Sequence, residues 1–365
     1  MSLARLALPA VFLAAACGAI AEDPHRCGAQ DLDCLGGTCS SGVCGPVTLV
    51  SGIKLGVALT VDSTRVYWID QQLNVSTAPK SGGPATLLAT LPSTGGTPTS
   101  IATDGTYAYV AAFGGNASSS GVYRIPTDGS AVTLLDAAAY TTSVAVDPKG
   151  CVAWSYWGDP DKPGAIARLC PGSTKPEILA DETDQTPAGL AVDATGTFWS
   201  ENVPIVFTSL SDPCLKAPGA LRMVSPPSSP VTLAHGYPGG FGGSVWGSGL
   251  ATAGDALYWR DMCSGTVYRL PHGASIATAL AAVSTTPAAT GFLGNGEYHY
   301  PGLVAADALG AYTTSDAGVV RVPRDGGPAV LVAPGQHPID MAVDDTRIYL
   351  LPINGAIVAV AKPPR

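Results

Sequence analysis

A four-part phrase returns seven times along this chain, and it limits the fold more than any other feature. Each copy opens with an apolar stretch ending in an aspartate, as in "LTVDSTRVYW" around Asp62. An aromatic stretch follows, as in "RVYWID". A third stretch such as "GVYRIP" leads through a turn such as "TDGS" to a fourth, "AVTLLDA". The aspartates are Asp62, Asp104, Asp147, Asp193, Asp307 and Asp344; the fifth copy carries Ala253 instead. An aromatic or small apolar residue recurs five places past this position. Units of about 40 residues with four short strands each are the signature of propeller blades. No helical period survives beyond the first residues. The expectation is an all-β, seven-bladed β-propeller over residues 46–365.

The last copy, "AIVAVAKPPR", lacks its fourth strand. The missing piece stands before the first copy: "PVTLVSG", Pro46 to Gly52, nearly repeats "PVTLAHG", Pro230 to Gly236, a fourth strand of the middle of the chain. The N-terminal strand is therefore expected to complete the C-terminal blade and close the ring. Closure removes a sheet edge that would otherwise template aggregation. Composition agrees, since 44 Gly and 31 Pro suit many tight turns. The formal net charge of −9 excludes a basic nucleic-acid face, and no lysine-rich segment is present to seek anionic lipid.

The first 21 residues read as an export signal. Arg5 precedes the apolar run Leu6 to Ala16, which is too short to span a bilayer. Two cleavage sites compete: before Cys17, as in a bacterial lipoprotein, or after Ala21, as in a freely secreted protein. Without Cys17 eight cysteines remain, an even number that fits an oxidising compartment. Four lie in residues 22–45, a segment too short and polar to bury a core, so disulfides are expected to hold it. Of three pairings, Cys27–Cys39 with Cys34–Cys44 is preferred because interleaved bonds suit such a knot. In the repeats, Cys151 and Cys170 face each other across a strand pair, and Cys214 with Cys263 would anchor a long insert.

The stretches "VYWID", "LYWRD" and "TFWSE" resemble the YWTD repeat of lipoprotein-receptor propellers. "VYRIPTDGS" and "VVRVPRDGG" are similar to strands of bacterial NHL and YWTD-like propellers. A cysteine knot joined to such a propeller resembles a layout common in exported myxobacterial proteins. The resemblance implies a propeller fold and an extracytoplasmic lipoprotein, and it implies no particular ligand.

No cluster compels a reaction. The recurrent aspartates read as turn formers, because Asp accepts backbone N–H bonds at such turns. Departures from the repeat are better sites, since loops on a rigid scaffold carry function. Long connections lie at 111–121, 155–164, 200–219, 237–247 and 287–302, all expected on one end of the ring. They bring Tyr156, Trp157, Phe207, Tyr237, Trp246, Tyr298 and Tyr300 to a candidate recognition face for a protein or glycan of the cell envelope. No cofactor is expected on this reading. The alternative is a calcium-dependent propeller hydrolase of the lactonase kind, with Glu201, Asn202, Asp261 and Glu297 as hard oxygen ligands. The expected location is the outer membrane, through a lipid on Cys17 alone, or the periplasm or medium.

Overall fold

The computed structural model describes residues 34–40, 43–92, 96–114, 120–138, 140–159, 162–182, 186–202, 220–235, 249–261, 264–283 and 303–362. Among these residues there is no helix. Seven four-stranded antiparallel sheets form the blades, and a two-stranded ribbon, Cys39–Ser40 with Val43–Cys44, precedes them. The innermost strands, in order of blades 1 to 7, are Gly56–Val61, Thr97–Thr103, Thr141–Val146, Thr186–Val192, Leu250–Ala253, Val304–Asp307 and Asp340–Val343. Each packs beside the next, and the seventh packs beside the first. The ring is closed.

Blade 7 is composite. Its three later strands in the sequence, Asp340–Val343, Arg347–Leu351 and Asn354–Ala361, are joined by Val47–Lys54 from the other end of the chain. Thr48 lies opposite Val358, and Leu49, Val50 and Ile53 sink into a core shared with Trp68, Tyr349 and Ile357. The expected closure is thus the observed one.

The Tyr-Trp pair explains how blades adhere. Adjacent strand residues point to opposite faces of a sheet. Tyr67 therefore packs forward against Ile101 and Tyr123 of blade 2, while Trp68 packs back against blade 7. Trp154, Trp199 and Trp259 repeat the backward contact, each fully buried against the preceding blade. Both faces of every sheet are buried, so the strands need apolar residues at successive positions, as in "RVYWID". Fully burying one such side chain contributes roughly 2–3 kcal/mol.

The perimeter is shaped by one recurring irregularity. In every blade the third and fourth strands shift register midway, for example between Val75 and Ser76, Val122 and Tyr123, and Val319 and Val320. A bulge twists an open edge and discourages pairing with another chain. Glycine opens the third strand where space demands it: a Cβ on Gly121 or Gly318 would lie 2.2 Å from the carbonyl oxygen of Asp136 or Ala333.

Two disulfides have both partners among the described residues. Cys34–Cys44 closes the small ribbon with Cα atoms 5.2 Å apart, and Cys151–Cys170 bridges the second and third strands of blade 3. Cys39 is also disulfide-bonded. Its expected partner Cys27, with Cys17, Cys214 and Cys263, lies outside the described residues. The ribbon is docked on blade 7. Cys34 and Cys44 pack on Ala361, and Arg347 donates to the Leu35 carbonyl at 2.8 Å.

One connection differs from expectation. Residues 155–164 were expected as a loop, but the strands Val152–Asp159 and Lys162–Leu169 run on through most of it as an extended hairpin. The ladder continues past Tyr156 through the pairs Gly158–Pro163 and Asp159–Lys162.

Candidate functional site

In blades 1, 2, 6 and 7 the aspartate that ends the innermost strand or follows it is the centre of a two-sided hydrogen-bond unit. In blade 1 the Asp62 Oδ1 accepts the Thr64 and Arg65 backbone N–H groups at 2.7 and 2.8 Å, and Oδ2 accepts the Tyr67 hydroxyl at 2.7 Å. Blades 2, 6 and 7 repeat the Asp–Tyr contact as Asp104–Tyr109, Asp307–Tyr312 and Asp344–Tyr349. Burial pushes the Asp62 carboxyl up, but the bonds from Tyr67, Thr64 and Arg65 outweigh it and hold the group below its ordinary range. Burial and the neighbouring carboxylate raise the Tyr67 hydroxyl in turn. The turn-forming reading of these aspartates is what the geometry gives. The tyrosine contact adds a role the turn pattern alone did not contain.

The departures from the unit are specific. Blade 4 has Phe198 in place of the tyrosine. His272 of blade 5 stacks flat on that ring, with centroids 5.4 Å apart, and brings Nε2 within 3.2 Å of Asp193 Oδ2. The contact is close but not aligned as a hydrogen bond. The turn of blade 3 is one residue longer, since Asp147 N bonds the Cys151 carbonyl, so Ala153 takes the tyrosine's place.

The turns of blades 1 to 5 converge around a cavity of about 740 Å³ at one mouth of the ring, lined by Asp62, Asp104, Asp147, Asp193, Lys149 and Thr252 among others. It is acidic and open to solvent. Its carboxylates are already engaged in turns.

Two residues of the expected aromatic face, Tyr156 and Trp157, are described at the opposite end, and the structure separates their roles. Tyr156 packs into the interface of blades 2 and 3 beside Trp154, a structural position. Trp157 instead meets Phe113 edge-on, with centroids 5.4 Å apart, and Phe113 meets Tyr140 at 5.2 Å. Two blades thus supply one half-buried group of three rings. Tyr140 adopts φ +58°, held there by Tyr140 N donating to the Gly114 carbonyl and Trp157 N donating to the Tyr140 carbonyl. That conformation costs a non-glycine residue on the order of 1 kcal/mol. The Trp157 Nε1–H is buried, without a hydrogen-bond partner among the described residues. Phe113 and Tyr140 were not singled out from the sequence; a lone Phe at a strand end carries no local signal. Phe207, Tyr237, Trp246, Tyr298 and Tyr300 lie outside the described residues.

The two described carboxylates of the alternative reading, Glu201 and Asp261, each hold local hydrogen bonds. Glu201 is buried, and its Oε1 accepts both Trp199 Nε1–H and Arg222 Nη1–H at 3.0 Å. Asp261 takes the same turn place in blade 5 as Asp70 in blade 1, each accepting a backbone N–H of its hairpin. Glu297 lies outside the described residues, as does the Asn202 side chain. Among the described residues no group of three or more His, Cys, Asp or Glu is placed to hold a metal ion.

No known family model matches the chain, and no curated protein matches it in sequence. Comparison of structures finds similar chains. A structure of a nidogen/laminin complex is 20% identical, with a TM-score of 0.46, over 62% of this chain and 79% of that one. The PQQ-bound aldose sugar dehydrogenase of Streptomyces coelicolor is 12% identical, with a TM-score of 0.47, over 86% and 96%. YCF48 bound to D1 peptide is 9% identical, with a TM-score of 0.54, over 87% and 96%. The last likeness agrees with the fold and speaks to the fold alone. Fold and site together define a seven-bladed β-propeller with an acidic axial mouth at one end and an aromatic cluster at the other.

Proposed function

We propose that this propeller is an exported binding or scaffold module that takes a protein or carbohydrate ligand on its aromatic end. The observation that carries this reading is the Phe113–Tyr140–Trp157 cluster, built across two blades around a backbone held in an unfavourable conformation. Strain of this kind persists where function rewards it. Half-buried rings are the side chains that dominate recognition surfaces. Export and a lipid on Cys17 belong to the same proposal. Formed disulfides support an oxidising destination.

Capture of the envelope ligand by Trp157→Ala is expected to fall roughly tenfold or more, the loss typical of a central aromatic anchor. Asp104→Asn, at the opposite mouth, is expected to capture as well as wild type. Equal capture by Trp157→Ala and wild type sinks the reading; loss with Asp104→Asn instead would move the site to the acidic mouth. Metabolic labelling with a fatty-acid analogue tests the anchor: wild type is expected to incorporate label and Cys17→Ala to incorporate none. An unlabelled wild type rules the anchor out.

A further inference from the structure

The residue after each third strand occupies one structural place. Lys80, Thr127, His272, Arg324 and Lys362 each donate their backbone N–H to the turn that follows the first strand of their own blade. Register puts Pro171 and Pro226 in the same place in blades 3 and 4. Where the residue is basic, its side chain reaches the preceding blade. Lys80 of blade 1 bonds Asp344 Oδ2 of blade 7 at 2.8 Å and lies over the Tyr349 ring. Lys362 of blade 7, its side chain 1% exposed, bonds Asp307 Oδ2 of blade 6 and lies over Tyr312. His272 covers Phe198 and approaches Asp193, and Arg324 bonds Asp255 of blade 5 at 2.9 Å. These clasps span junctions 4/5, 5/6, 6/7 and 7/1. At junctions 1/2, 2/3 and 3/4 the place holds Thr127, Pro171 and Pro226, and among the described residues no cation pairs with Asp62, Asp104 or Asp147.

The clasps follow strand length. Blades 1 to 4 have innermost strands of 6, 7, 6 and 7 residues, whereas blades 5, 6 and 7 have 4 each. Every junction involving a short strand is clasped, and no junction between two long ones is. A short strand offers its neighbour less surface to bury, so less apolar contact holds that junction. We propose that blades 5 to 7 form the separable arc of the ring, held shut by clasps built on basic side chains. The long strands of blades 1 to 4 hold their junctions without them.

Hydrogen exchange followed by mass spectrometry on the whole chain tests this. In Lys362→Met, exchange in peptides covering 304–307 and 340–343 is expected to rise roughly tenfold, with 97–103 and 141–146 unchanged within about twofold. Thr127→Met, the same place in the unclasped arc, is expected to leave 56–61 and 97–103 unchanged. Should Lys362→Met fail to fold, Lys80→Met carries the test at junction 7/1, read in 56–61 and 340–343. A rise spread evenly around the ring, no rise in either lysine variant, or an equal opening by Thr127→Met overturns the proposal.

Discussion

A chain lacking Pro46 to Gly52 is expected to lose the cooperative unfolding of the entire ring rather than fray at one end. The deletion removes most of the strand that pairs with Asn354–Ala361 and takes Leu49 and Val50 out of the blade 7 core. Two buried aliphatic side chains and a ladder of backbone bonds contribute on the order of 5 kcal/mol, a large share of the ~5–15 kcal/mol that holds a typical domain. The loss also bares the Asn354–Ala361 edge, inviting association. Thermal unfolding followed by circular dichroism, with light scattering on the same sample, is expected to show a midpoint lowered by on the order of 10 °C and a soluble dimer or aggregate. An unchanged, sharp transition would mean that the closure contributes nothing.

The second large effect is a dependence on pH centred on Asp340. Its side chain is buried at the junction of blades 7 and 1, where Oδ2 accepts the Leu59 N–H at 2.7 Å and Oδ1 accepts that of Met341. Burial pushes the carboxyl up to about 7, against the partial relief of those two bonds. Below pH ~4 the folded and unfolded chains both hold the proton, and Asp340 leaves stability untouched. Between about 4 and 7 the unfolded chain releases its proton while the folded chain keeps it, so stability falls as pH rises. Above 7 the full difference, on the order of 4 kcal/mol, is lost. Denaturant titrations of wild type and Asp340→Asn from pH 4 to 8 are expected to diverge, the variant gaining relative stability as pH rises. Parallel curves would show that this carboxyl does not titrate in that window.

The fold was legible because a propeller repeats its own evidence. Seven copies of one strand order, with Gly and Asp at the turns, leave few arrangements, and the near-identity of Pro46–Gly52 to Pro230–Gly236 gave away the closing strand. The Cys151–Cys170 pair could be placed once the two strands were aligned. Contacts between blades were less legible. Lys80 and Asp344 lie at opposite ends of the chain, and Lys362 meets Asp307 only when blade 7 stands beside blade 6. Each is an ordinary polar residue at a turn until the ring brings the pair together. The extra residue in the blade 3 turn also defeats a fixed count: five places past Asp147 is Val152, yet Ala153 holds the tyrosine's place. The aromatic cluster was half visible. Trp157 stands out in "SYWGD", whereas Tyr140 acquires its part through a left-handed backbone that sequence pattern does not encode.

The composite seventh blade also sets an order of events during synthesis. Val47–Lys54 is the first propeller strand of the chain, and its partner Asn354–Ala361 is the last. Six blades can form from neighbouring segments as they emerge, each needing only local contacts. The first strand must wait through all of them with its backbone unpaired and Leu49, Val50 and Ile53 exposed. Long-range pairing of this kind is slow and leaves the waiting segment prone to aggregation. The ribbon just ahead of it, closed by Cys34–Cys44, packs on Ala361 of that last strand, so the closing strand is fastened at its start once it pairs.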